Sequence, residues 1–154
     1  MLRASFAIVL CVAAGCSEPT PVDVRFITPL ATVETLFDAY GVAELSQAEV
    51  DRRIAIGRTF HLNDPAALRA CFIDWNSAED EALAGYVFGN IVMAKDVLTA
   101  TLREDEAEVM IDDPERRTRP VVLVRDGGHW RISLARSVPE SVRRELRSMA
   151  EERP

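Results

Sequence analysis

Cys71, the histidines His61 and His129, and three groups of carboxylates are the side chains in this sequence whose types could do chemistry. A thiol becomes a nucleophile when a base stands within hydrogen-bond reach and its pKa falls. Cys71 instead sits between Ala70 and Phe72, and a free cysteine in such company belongs in a core. The two histidines are widely separated, with no His-x-x-x-His pair, whereas a zinc site gathers three or four ligands. No metal and no cofactor is therefore expected, and His129 should lie exposed at the mouth of a hairpin. The acidic groups are Glu79-Asp80-Glu81, Glu104-Asp105-Glu106 with Glu108, and Asp112-Asp113. None has the oxygen spacing of a calcium loop, so all three are expected on solvated surface. An isomerase- or cyclase-type enzyme needs a carboxylate inside an apolar cavity with a tyrosine or second acid opposite. Tyr40, Tyr86, Asp38 and Asp74 supply the types, but no pattern marks any of them as inward-facing and unpaired. The aromatic set Phe72, Trp75, Tyr86, Phe88 and Trp130 would line a cavity if one opens, and would fill a core if none does.

Cys16 points to a different chemistry. Arg3 precedes an uncharged apolar run from Ala4 to Ala14, about half the roughly 20 residues that a membrane-spanning helix needs and suited to the apolar region of a signal peptide. Its end, Ala13-Ala14-Gly15-Cys16, resembles the lipobox of bacterial lipoproteins. That resemblance implies a leader over residues 1–15, diacylglycerol on the Cys16 thiol, and a lipidated cysteine with tether over 16–24. Several acyl chains on one residue anchor stably where one would be marginal. Ser17 in place of aspartate implies, by similarity to enterobacterial sorting, the outer membrane facing the periplasm. Of the three cysteines, Cys11 would leave with the leader and Cys16 would be alkylated. Only Cys71 would remain, which excludes an intramolecular disulfide even in an oxidising compartment.

At 48% hydrophobic and 28% charged residues, the composition is that of a folded chain rather than a disordered one, and 154 residues suit one domain, here 25–154. The net charge of −7 argues against nucleic acid, whose phosphates require a basic face. It also argues against docking on anionic lipid by net charge alone. The elements follow from caps and periodicity. Ser17 to Asp23 is a polar, proline-bearing tether of about 25 Å at full extension. Thr28-Pro29 opens a helix with Leu30, Val33, Phe37 and Tyr40 on one stripe and Gly41 as its stop. Ser46 to Glu49 is a capping box for a second helix carrying Val50 and Ile54. Asn63-Asp64-Pro65 opens a third, and Ser77 to Asp80 a fourth with Leu83, Tyr86, Val87, Ile91 and Ala94. After Lys95 the period becomes two: strands near 98–103 and 106–111 join at Glu104-Asp105. Strands from Val121 and from His129 to Leu134 join at Asp126-Gly127-Gly128. Pro120 suggests an edge or a bulge, and Ser137 to Glu140 reads as a capping box for a terminal helix. Its arginines Arg143, Arg144 and Arg147 interleave with glutamates, as on a solvated face with supporting ion pairs. Helices followed by an antiparallel meander mean an α+β fold.

Three stretches together resemble the NTF2-like superfamily (SnoaL-like, cystatin-like cone) across 28–136. They are Thr28-Pro29 through Tyr40, Asn63-Asp64-Pro65 through Phe72, and Val121 through Ile132 with its Gly127-Gly128-His129-Trp130 turn. The resemblance implies N-terminal helices packed on a curved antiparallel sheet that wraps a cavity. Members use that cavity for binding or for acid/base catalysis, so the fold leaves function open. The expected role is a membrane-held envelope lipoprotein, non-catalytic, binding a small apolar ligand or an envelope protein. The alternatives are an acid/base enzyme using a cavity carboxylate and a structural protein acting through the C-terminal helix.

Overall fold

A computed structural model describes residues 21–151; the expectations for the leader, for Cys16 and for residues 17–20 lie outside the described residues. A short 3-10 turn (Val24–Phe26) leads into α1 (Pro29–Ala39), α2 (Gln47–Ala55), α3 (Pro65–Ala70) and α4 (Asp80–Val92). Strands β1 (Leu98–Arg103), β2 (Glu106–Ile111), β3 (Val121–Asp126) and β4 (His129–Ile132) follow, then α5 (Leu134–Ser137) and α6 (Glu140–Glu151). The fold is α+β, as the order of helical and alternating patterns implies.

The local signals act as side-chain chemistry predicts. The Thr28 hydroxyl accepts from Ala31 N–H at 3.1 Å, Ser46 from Glu49 N–H at 3.2 Å, and the Asp64 carboxylate from Ala67 N–H at 2.9 Å. Each satisfies an N–H that the first helical turn leaves without a partner. Helix α4 is organised differently. It begins at Asp80, whose carboxylate accepts from the backbone N–H groups of Asn76 and Ser77 at 2.6 and 2.9 Å.

The sheet is a meander in the order β1-β2-β3-β4, antiparallel throughout. One row across its inner face runs Leu102, Ala107, Leu123, Ile132. Ala107, Leu123 and Ile132 are buried, while Leu102 stays 57% exposed. The inner row of β2, β3 and β4 is therefore covered, and the end of β1 is left open. Helix α1 packs on this face through Val33, Leu36 and Phe37, and its Thr32 hydroxyl donates to the Trp130 carbonyl at 2.7 Å. A second centre forms around Phe88 of α4, stacked on Tyr40 at 4.1 Å and edge-on to Phe37 and Phe60.

Four local expectations need correction. Strand β4 stops at Ile132, and Leu134 turns into α5 instead of continuing the strand. The cause is Asp74, whose carboxylate accepts from Ser133 Oγ, Leu134 N–H and Ala135 N–H at 3.1, 2.8 and 2.9 Å. Ser137 is bound elsewhere than in a capping box. Its buried hydroxyl takes the Val122 N–H at 2.9 Å, replacing a ladder bond. Pro120 precedes an interior strand rather than an edge one, in a position where no ladder N–H is required. Leu30 and Ile54, expected on apolar stripes, remain 41% and 38% exposed.

Candidate functional site

Helices α4 and α6 position a groove on the surface of the domain. On α6, Val142 and Leu146 are half-buried and Met149 is exposed, four and three residues apart, the spacing that brings side chains to one face. That face lies toward the first turns of α4, leaving a cleft of about 500 Å³ lined by Tyr40, Glu79, Glu81, Ala82, Leu146 and Met149. A narrower cleft of about 290 Å³ shares Glu79 and Leu146 with it and adds Ser77, Asp80, Leu83 and Arg147. A third, of about 220 Å³, separates α1 from the start of β1, between Leu30, Phe37, Lys95 and Leu98.

The main cleft is lined by apolar side chains and by two carboxylates. Tyr40 stacks on Phe88 behind it, and its hydroxyl makes no hydrogen bond among the described residues. Burial, with the nearby charge of Glu81 added, pushes the Tyr40 phenol up to about 12. At neutral pH the group is a protonated hydroxyl, able to donate or accept a hydrogen bond but poor at releasing a proton. Glu79 and Glu81 are exposed. Such an arrangement can seat an apolar body and hold a polar or positively charged head against the two carboxylates.

The five aromatic residues singled out from sequence do not line this cleft or the other two. Phe72, Phe88 and Trp130 are buried in the core at 4%, 6% and 1% exposure. Trp75 is half-buried beside Phe72 at 5.8 Å, with the Arg69 guanidinium over its ring. Tyr86 is half-buried against the core. Cys71 is fully buried, its Sγ donating to the Ala67 carbonyl at 3.2 Å, and burial pushes the thiol up to about 12. His61 is exposed. His129 is half-buried rather than exposed: its Nε2 accepts from Asp23 N–H at 3.1 Å and its ring meets Phe26 edge-on. Asp38 faces solvent, and Asp74 is occupied by the start of α5. Among the described residues, no three His, Cys, Asp or Glu side chains are grouped to hold a metal, and no helix is long and apolar enough to cross a membrane.

Of the residues considered from sequence, the cleft brings together Tyr40, Glu79 and Glu81. Ala82, Leu146 and Met149 were missed. The signal for two of them was present, as apolar positions at helical spacing among the charges of α6, but nothing in the sequence says which element that face meets. Comparison of the chain with family models, with curated proteins and with solved structures gave no match in any of the three.

Proposed function

We propose that the protein is a lipid-anchored envelope lipoprotein whose α+β domain, of NTF2-like type, binds a small ligand rather than transforming one. The observation that carries the binding role is the cleft between α4 and α6, lined by Tyr40, Ala82, Leu146 and Met149 together with Glu79 and Glu81. Apolar lining with a few convergent polar groups is the usual make-up of a small-molecule site. The ligand is accordingly an amphipathic molecule with an apolar body and a polar or cationic head. Cys71 is committed to the core and Asp74 to capping α5, and the cleft carboxylates Glu79 and Glu81 are exposed, whereas an acid/base carboxylate calls for an apolar enclosure. The NTF2-like reading is supported by a Thr28-Pro29-led helix on the inner face of a meander that closes with the Gly127-Gly128 hairpin. The anchor reading is supported by Ala13-Ala14-Gly15-Cys16.

Two measurements test the pair of readings separately. Nile red, an apolar fluorescent probe, should bind the protein. Filling the cleft with Ala82→Trp should weaken that binding at least tenfold, which is about 1.4 kcal/mol. Unchanged binding in a folded Ala82→Trp protein would reject the cleft as the site. Cys16→Ser should move the protein from the membrane fraction to the soluble one, and unchanged fractionation would reject the anchor.

A further inference from the structure

We infer that the exposed apolar side chains of Val22, Val24, Ile27 and Leu30 form a contact surface for the lipid bilayer, holding the domain against the membrane in a fixed orientation. The inference rests on the lipid-anchor reading. These side chains keep 66%, 70%, 46% and 41% of their surface exposed, although the segment carrying them is tied down. Asp23 N–H donates to His129 Nε2 at 3.1 Å, and the Thr35 hydroxyl donates to the Arg25 carbonyl at 3.2 Å. Phe26, between Val24 and Ile27, is buried at 2% exposure with its ring edge-on to His129. Phe26 anchors the turn inward while its neighbours on both sides stay exposed. Folding does not require apolar residues at these four positions, which fall within nine residues of chain, and exposed apolar side chains concentrated on a tied-down segment point to a place where something docks.

The occupant follows from where the chain comes from. Val22 stands six residues after Cys16, a link of about 20 Å at full extension. Val22 therefore stays within that reach of the acyl chains, and Val24, Ile27 and Leu30 follow within eight residues of it, where even a weak contact is favoured by its high effective concentration. Charge fits the same occupant. Within 22–30 the charged residues are Asp23 and Arg25, paired at 2.7 Å, so the segment carries no net charge into the headgroup region. Arg131 is held beside it, its guanidinium 5.0 Å from the centre of the Phe26 ring, with Asp126 at 3.9 Å. An arginine bordering apolar surface is suited to the boundary between acyl chains and phosphates.

The test uses the full chain, purified with its lipid and reconstituted into vesicles of phosphatidylethanolamine and phosphatidylglycerol. An environment-sensitive fluorophore is placed at Val24→Cys or, as a control, at Glu115→Cys on an exposed loop. The intact mass reports independently whether Cys16 is acylated. The expected result is an acylated protein whose Val24→Cys label shifts to the blue and escapes iodide quenching on reconstitution, while the Glu115→Cys label does neither. Adding Ile27→Asp should abolish the shielding without releasing the protein from the vesicles. An acylated protein whose label at position 24 is quenched as fully as the control would overturn the inference and leave the anchor standing. Shielding that appears without vesicles and grows with protein concentration would assign the surface to a second copy and overturn the bilayer as occupant. An unacylated Cys16 would remove the anchor reading, and the inference with it.

Discussion

Cys71 shows how burial converts a reactive residue type into a structural one. Its thiol is fully buried and pushed up to about 12, so thiolate at neutral pH is negligible. Iodoacetamide should leave it unmodified in the native protein and alkylate it after urea unfolding, which peptide mass mapping would detect. Rapid modification under native conditions would contradict the placement. Asp74 was a candidate for catalysis by residue type, yet its oxygens are taken by Ser133 Oγ and the N–H groups of Leu134 and Ala135. Asp74→Ala leaves those backbone donors without their partner and should cost about 2 kcal/mol, read from the urea midpoint. If stability is unchanged, α5 does not depend on that cap.

Turns decide how the elements are joined, and here the backbone conformation gives two opposite predictions. Gly41 ends α1 at φ +64°, and a Cβ there would fall on the side-chain amide of Asn63. Gly41→Ala should therefore destabilise by about 1–2 kcal/mol, combining left-handed strain with displacement of Asn63. Glu104, between β1 and β2, is the non-glycine residue at positive φ among the described residues, at +50°. Glu104→Gly should raise stability by about 1 kcal/mol, because glycine adopts that conformation without the Cβ penalty. Paired thermal melts of the two variants would check both signs. The β3–β4 turn has no such reserve, because Gly127 and Gly128 already occupy its two positive-φ positions, as a tight hairpin of this kind requires.

For the molecule as a whole, the shifted groups predict a stability plateau with two flanks. Hydrogen bonds from Arg25, Arg52, Arg136 and Arg116 hold the carboxyls of Asp23, Glu49, Glu106 and Asp113 below their ordinary values, Asp23 at about 2. Lowered carboxyls stabilise above their unfolded pKa, and that contribution is lost as pH falls through the folded one. These groups are exposed, so the acid flank should be shallow and weakened by salt. Cys71 and Tyr40 are raised from 9.0 and 10.0, each to about 12. Their contribution is complete below the unfolded values and is lost as pH rises toward the folded ones. The urea midpoint should therefore be flat between about pH 5 and 9 and fall on the alkaline side. A midpoint that climbs above pH 9 would show that these two groups are not buried as described.

The sequence by itself determined the elements: the caps at Thr28, Ser46 and Asp64, the glycines at 41, 127 and 128, and the change of period after Lys95 are local signals read over a few residues. They sufficed for an α+β class, for the pairing of β1 with β2 and β3 with β4, and for Cys71 as core. Only the tertiary structure decided what each apolar face meets. Asp74 reaches α5 across 60 positions, Ser137 replaces a ladder bond of β3, His129 is claimed by the N-terminal segment, and Leu146 of α6 faces Ala82 of α4 to make the cleft. Periodicity specifies that a face is apolar, whereas its partner is set by long-range packing that no short window of sequence contains. For that reason the aromatic residues, the most conspicuous in the sequence, went largely to the core, and the cleft was formed by inconspicuous ones.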